Sequence, residues 1–378
     1  MEERLASIFA SLPKGELEIV SGKVLEAATA FVLRAEFTEI KKPHADPRTI
    51  GIVRVHGTAS VSGADRPWSC VTKLIDLEVP NILGTSVDPR NEVRVYEEGH
   101  FVGEQFGLRP ARCHHISRRS NTLTILWLED LTEAEAPPFN VHQLGEMARH
   151  LGVWNARIAA APPDLAFPIG HDFQITSAEG FNFKARMTDL LSLRDEPMVR
   201  EMFARHPIEI VGDFLWVYSE LIDRSAALPH ALGLADCPIS NFFHRPGETI
   251  VIDWAGLGME PIGADGGRFI GSALSWGRGF AEIARQERAL FECYLAGLAE
   301  GGGLEERDVI RSGYLSELGF YLASMLTLPT ILARPKPGLS LEFLEKRLDM
   351  PMGDFGRAVA ELVDMIPPYI SELQTLIS

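Results

Sequence analysis

The chain has 378 residues, 46% of them hydrophobic and 23% charged, with a formal net charge of −16 at pH 7. This is the composition of a globular protein with room for one large or two medium cores, and it argues against intrinsic disorder. The acidic balance, with no cluster of Lys or Arg, argues against a nucleic-acid partner; it suits a cationic small molecule, and equally an ordinary acidic surface.

The N-terminus, Met-Glu-Glu-Arg-Leu, carries acids where a secretory signal carries bases. No apolar run is long enough for a membrane-spanning helix, so no membrane partner and a cytoplasmic location are expected. Cys70, Cys113, Cys237 and Cys293 are scattered without a Cys-x-x-Cys pair. A reducing compartment fits that spacing better than a disulfide framework or a zinc site.

From Phe31 to Phe37, Gly51 to Val61 and Ser69 to Ile75 the residues alternate or are β-branched, with turn residues between the runs. They predict a small antiparallel sheet. Asp88-Pro89 predicts a helix start, through a capping side chain and a proline with φ already set, and places Glu92 in the first turns. Leu123 to Leu128 reads as a further strand, leading into Glu129-Asp130-Leu131.

Beyond Pro137-Pro138 the periodicity becomes helical. Leu144, Met147, Leu151 and Trp154 mark one face of a helix between Gln143 and Ala161. Ser192 to Ile222 and Phe280 to Leu298 are further helical stretches. Glu342 to Leu376 reads as helices broken by Pro351 and by Pro367-Pro368. The expected fold class is α+β, with a sheet lobe over residues 1–131 and a larger, mainly helical lobe over 132–378.

The segment from Leu234 to Trp254 carries the chemistry. Asp236 is followed after four residues by Asn241, then by Phe242-Phe243, a Pro246-Gly247 turn, the β-branched run Thr249 to Ile252, and Asp253. Phosphoryl transfer needs a carboxylate beside the attacking hydroxyl, an amide oxygen for a magnesium ion, and a second carboxylate bridging metal and phosphates. Asp236, Asn241 and Asp253 supply these in order. Read blandly, the same residues are a polar turn with a capping Asn and an Asp that ends a strand.

With these motifs the chain resembles the aminoglycoside phosphotransferase family of the protein-kinase-like superfamily. The resemblance runs over most of the chain: Trp68 to Lys73, Asn91-Glu92-Val93, Leu128 to Leu131, His150-Leu151-Gly152, Asp236 to Asn241, and Val251 to Trp254 through Gly258, Pro261-Ile262-Gly263 and Asp265. It implies a bilobal protein-kinase-like fold and transfer of a nucleotide γ-phosphate, from ATP or alternatively GTP, to a hydroxyl of a small molecule with Mg²⁺. Asp236 would be the catalytic base. Lys73, paired with Glu92, would orient the nucleotide, Glu129 and Leu131 would form the hinge that binds the base, and Asn241 and Asp253 would hold the metal. Asp265 would brace the catalytic loop. Trp154, Trp276, Tyr314 and Tyr321 could line an acceptor pocket, although core packing is the ordinary fate of such residues.

Two departures from the family stand out. Leu234-Ala235-Asp236 replaces the usual His-Gly-Asp, and Pro43 to Gly51, where a glycine-rich phosphate loop is expected, holds one glycine. They motivate an alternative of another class, a catalytically silent kinase-like protein that binds a small molecule or nucleotide.

Overall fold

A computed structural model describes residues 3–41, 48–79, 88–99, 101, 107–165, 170–171, 183–274, 280–303, 305–333, 345 and 350–378. The chain divides into two compact units: residues 1–102, 110–134 and 252–255 form the first, and 103–109, 135–251 and 256–378 the second. The fold class is α+β, as the periodicities predict.

The first unit begins with α1 (Glu3–Ala10) and α2 (Lys14–Val24), followed by β1 (Phe31–Lys41), β2 (Thr49–Val61), β3 (Ala64–Asp76) and α3 (Arg90–Glu98). β5 (Cys113–Arg118) and β6 (Leu123–Glu129) complete its strands; the short β4 (Leu108–Pro110) between α3 and β5 lies at the boundary of the units and joins a three-stranded sheet with Glu248–Val251 and Phe242–Arg245. Five of these strands make one sheet in the order β1-β2-β3-β6-β5, and every neighbouring pair is antiparallel. Strand period sorts the side chains to two faces. Val53, Val55, Trp68, Cys70, Leu74, Ile125 and Trp127 pack on one face with Leu5, Phe9 and Val20 of the two N-terminal helices. Ile75, Leu126 and Leu128 point to the other and pack with Val93 of α3.

The second unit contains α4 (Val141–Ala160), β7 (Gly170–His171), α5 (Phe183–Ser192), α6 (Pro197–Met202), α7 (Ile210–Ser225) and β8 (His230–Gly233). The hairpin β9 (Phe242–Arg245) and β10 (Glu248–Val251), then β11 (Gly258–Pro261), precede α8 (Ala264–Leu274), α9 (Phe280–Gly301), α10 (Arg307–Leu326), α11 (Leu328–Ala333) and α12 (Met352–Leu376). The α4 start is fixed by a capping box: Asn140 Oδ1 accepts from Gln143 N–H at 3.0 Å and Gln143 Oε1 from Asn140 N–H at 2.9 Å.

The C-terminal helix corrects one expectation. Pro351 caps α12, as a breaker should, but Pro367 and Pro368 lie inside a continuous helix. A proline there forfeits a backbone bond and crowds the preceding turn. Val359, Leu362, Val363, Ile366, Tyr369 and Leu373 are all buried along this helix, and tertiary packing outweighs that local cost. Among the described residues no helix is long and apolar enough to cross a membrane.

Candidate active site

In the first unit the site grows from strand parity. Lys73 lies opposite Leu126 in the β3–β6 register, so its side chain shares the face on which α3 packs. Asp88 opens α3 by accepting Arg90 N–H at 3.0 Å, and Glu92 falls in the first helical turn, fully buried. Its Oε2 lies 2.5 Å from Lys73 Nζ, whose second partner is Asp253 Oδ1 at 2.7 Å. Glu97 points elsewhere, to Arg118.

Two carboxylates therefore share one enclosed ammonium. Burial pushes the Lys73 pKa down, but Asp253 and then Glu92 more than reverse this and hold it above its ordinary value. Burial raises the Glu92 carboxyl; the lowering by Lys73 and by the Trp254 backbone N–H, which Glu92 accepts, does not fully offset it. Trp254 is itself pinned, its ring stacked on Phe101 at a centroid distance of 5.3 Å. Asp253 adopts the left-handed backbone region, φ 65°. Non-glycine residues rarely do, and Asp and Asn bear it most easily. Its side chain remains 41% exposed, so one side of the carboxylate stays open.

The strand end at β6 is arranged more specifically than the hinge expectation requires. Glu129 N–H donates to Arg112 O at 2.8 Å, and Leu131 O accepts from Ala134 N–H at 3.0 Å. Those two groups are engaged within the protein. Among the described residues Leu131 N–H and Asp130 C=O carry no backbone bond. Asp130, not singled out in the sequence, is the organising side chain: it accepts from Ser69 and from Thr132 N–H at 3.1 Å, and it pairs with Arg54 Nε at 3.0 Å. The Asp-x-Thr spacing is an Asx-turn signal that could have revealed it.

In the second unit Asp236 sits on a tight bend between β8 and a short 3-10 turn, Ile239–Asn241. Ala235 has φ 52°, and Asp236 N–H bonds back to Leu234 O at 2.6 Å. Asn241 Nδ2 donates to Asp236 O at 3.4 Å, which turns the amide nitrogen inward and leaves the amide oxygen as an acceptor. Both side chains are half-buried. Asp265, enclosed at the start of α8, accepts Leu234 N–H at 2.9 Å, Ala235 N–H at 3.2 Å and Asn155 Nδ2 at 2.8 Å. The brace needs only backbone amides from this bend, so it works with Leu234 and Ala235 in place of His and Gly. Cys237 is fully buried, and burial pushes its thiol well above the usual range, as a packing residue and not a nucleophile.

Among the described residues no three His, Cys, Asp or Glu side chains form a ready metal cage. Magnesium needs only one or two protein oxygens when water and substrate phosphates complete its shell, and the Asp253 carboxylate and Asn241 amide oxygen are donors of that kind. Of the four aromatic residues, Trp154 and Tyr314 are fully buried in the core, which removes them from any acceptor pocket. Tyr321 is half-buried on α10, with its ring close against Gly271. Trp276 and the glycine-poor stretch 43–47 lie outside the described residues.

The chain is structurally similar to an aminoglycoside phosphotransferase from Alicyclobacillus acidocaldarius, with a TM-score of 0.52 and 13% identity over 90% of this chain and 93% of that one. A choline kinase from Cryptosporidium parvum matches at a TM-score of 0.47 and 11% identity, over 91% of this chain and 93% of the other. A choline/ethanolamine kinase family protein from Mesorhizobium loti matches at 0.40 and 16% identity, over 85% and 89%. No protein-family model matches the chain, and no curated protein does.

Proposed function

We propose that this chain, which has the protein-kinase-like fold of the aminoglycoside phosphotransferases, moves the γ-phosphate of ATP to a hydroxyl of a small molecule, with GTP as the alternative donor. The observation that carries the reading is the Lys73 ammonium held between Glu92 at 2.5 Å and Asp253 at 2.7 Å. Such an ammonium is fixed in place and permanently charged, which is what the nucleotide phosphates require.

In this reading Lys73 orients the phosphates and Glu92 fixes its position. Leu131 N–H and Asp130 C=O, between the hinge residues Glu129 and Leu131, offer one donor and one acceptor to the edge of the base. Asn241 and Asp253 hold Mg²⁺, which when bound neutralises charge on the phosphate oxygens. Asp236, held by the braced bend, accepts or orients the proton of the acceptor hydroxyl. The net charge of −16 favours an amphipathic or cationic alcohol over a phosphorylated sugar. Four free thiols are consistent with a cytoplasmic protein.

A thermal-shift titration with ATP, with and without magnesium, is the first test. Stabilisation that depends on magnesium is expected; equal stabilisation with EDTA would favour a silent nucleotide-binding protein, the reading suggested by Leu234 in place of histidine. Nucleotide consumption over a panel of hydroxylated amines, macrolide- and aminoglycoside-like alcohols and sugar phosphates then addresses the acceptor. Turnover of the sugar phosphates alone would overturn the acceptor class and leave phosphotransfer standing.

A further inference from the structure

Behind the bend that carries Asp236, three carboxyl groups and one guanidinium are enclosed together: Glu260 of β11, Asp265 and Arg268 of α8, and Glu317 of α10, none more than 5% exposed. Arg268 Nη1 lies 2.8 Å from Glu260 Oε2 and 3.6 Å from Asp265 Oδ1, and Nη2 lies 2.6 Å from Glu317 Oε1. With every acid ionised the cluster would bury two uncompensated negative charges, so protons must be retained within it. The hydrogen bonds decide where the negative charge stays. Asp265 accepts Leu234 N–H, Ala235 N–H and Asn155 Nδ2, and is the natural anion. Among the described residues Glu260 Oε1 meets no donor. Glu260 Oε1 and Asp265 Oδ2 lie 2.2 Å and 3.0 Å from one point, the place that a Cβ on Gly233 would take, so the two carboxyl groups face each other at close range, an arrangement that a proton between them relieves.

We propose that Glu260 is a positioning residue for the Asp236 bend: it stays protonated and donates to Asp265, fixing the carboxylate that holds the Leu234 and Ala235 amides. This deepens the phosphotransferase reading, since the bend it steadies is the one assigned to the acceptor hydroxyl. Burial pushes the Glu260 carboxyl well above its ordinary value, and the nearby Asp265 and Glu317 add to this against the pull of Arg268. Asp265 is held low despite its burial, first by the Glu260 hydrogen bond and then by Arg268.

The groups facing Glu260 are Asp265 and Arg268 from α8, Glu317 from α10, Tyr294 from α9 and Cys237 from the bend. Gly233 of β8 makes the approach possible, because a Cβ there would sit 2.9 Å from Glu260 Cδ and 3.0 Å from Asp265 Oδ2. A small opening lined by Asn155, Gly233, Glu260, Asp265, Tyr294 and Glu305 gives the shared proton a route to solvent.

The test compares the full chain with Glu260→Gln, which keeps a donor toward Asp265 without a titratable proton, and Glu260→Met, which keeps the bulk alone. A carboxyl whose folded pKa is raised stabilises the fold fully below its unfolded pKa, and that stability is lost as pH rises through the folded value. Melting temperatures from about pH 5 to about pH 8 should therefore fall in the wild type relative to Glu260→Gln, with a gap that widens steadily. Hydrogen-exchange protection of the Leu234 and Ala235 amides should persist in Glu260→Gln and drop about tenfold in Glu260→Met. A gap independent of pH, or wild-type protection in Glu260→Met, would overturn the proposal. If Glu260→Met does not fold, the pH dependence of the gap decides alone. Neither readout uses phosphotransfer, so absence of kinase activity would sink the functional reading without deciding the role of Glu260.

Discussion

Asp253 Oδ1 accepts a hydrogen bond from Lys73 Nζ at 2.7 Å although Lys73 is already paired with Glu92. The carboxylate assigned to the metal is thus oriented by the ammonium assigned to the phosphates, and one element of the site cannot shift without the other. Removing Asp253 leaves Lys73 paired with Glu92 and takes away the carboxylate assigned to the metal. Asp253→Ala should therefore fold, bind ATP weakly and lose the part of its affinity that depends on magnesium. Calorimetric titration with ATP in magnesium and in EDTA measures the difference, and a variant that retained the magnesium effect would remove Asp253 from the metal site.

Asp236→Asn keeps the shape of the bend and its backbone bond to Leu234, and removes the acceptor for the substrate proton. Turnover should fall by on the order of 10²-fold, with ATP binding and melting temperature unchanged. Steady-state kinetics beside a thermal melt reads both. Wild-type turnover in the variant would take Asp236 out of the mechanism.

The residues that bond across long sequence distances were legible because each lies on an element whose periodicity is strong. Lys73 stands on an alternating strand, Glu92 follows an Asp-Pro helix start, and Asp253 ends a β-branched run, so parity and register alone bring the first two to one sheet face. The N-terminal helices were not legible. Leu5, Ile8, Phe9 and Leu12 do follow the helical interval, but the run is short, and α2 carries Gly15 and Gly22, so packing on the sheet is what fixes the two helices. Pro367-Pro368 misled for the converse reason: the local rule is sound, and a long buried face overrode it. The Glu260–Asp265 pair escaped notice because nothing in the sequence says that two acids of one Glu-Pro-Ile-Gly-Ala-Asp segment share an enclosure with one arginine.

His150 supplies a pH dependence with a definite sign. Its Nδ1 lies 2.9 Å from Thr249 Oγ1 of β10, and burial lowers its pKa below the ordinary 6.5 in spite of Glu146 nearby. A depressed histidine contributes stability that is present above its unfolded pKa and is lost as pH falls toward the folded value, because the unfolded chain takes up the proton first. The melting temperature should therefore decline from about pH 7 to about pH 5, and His150→Gln should flatten that decline. Parallel curves for the two proteins would show that the ring is not held neutral by the fold.

Gly256 packs against Asp236 with no room for a side chain. A Cβ on Gly256 would lie 2.5 Å from Asp236 Cβ and 3.0 Å from its backbone nitrogen, so Gly256→Ala must displace the bend. A displacement of a few tenths of an ångström to an ångström in a reacting group costs up to about 10²-fold in rate, whereas the rest of the fold can absorb it for about 1–3 kcal/mol. Gly247 in the β9–β10 turn is the matched control. It has φ 77° and nothing within 4 Å of a Cβ, so Gly247→Ala carries only the backbone strain of about 1 kcal/mol. The expected result is a modest loss of melting temperature in both variants and a large loss of turnover in Gly256→Ala alone, scored by kcat at saturating nucleotide. Equal turnover in the two variants would mean that the position of Asp236 does not limit the reaction.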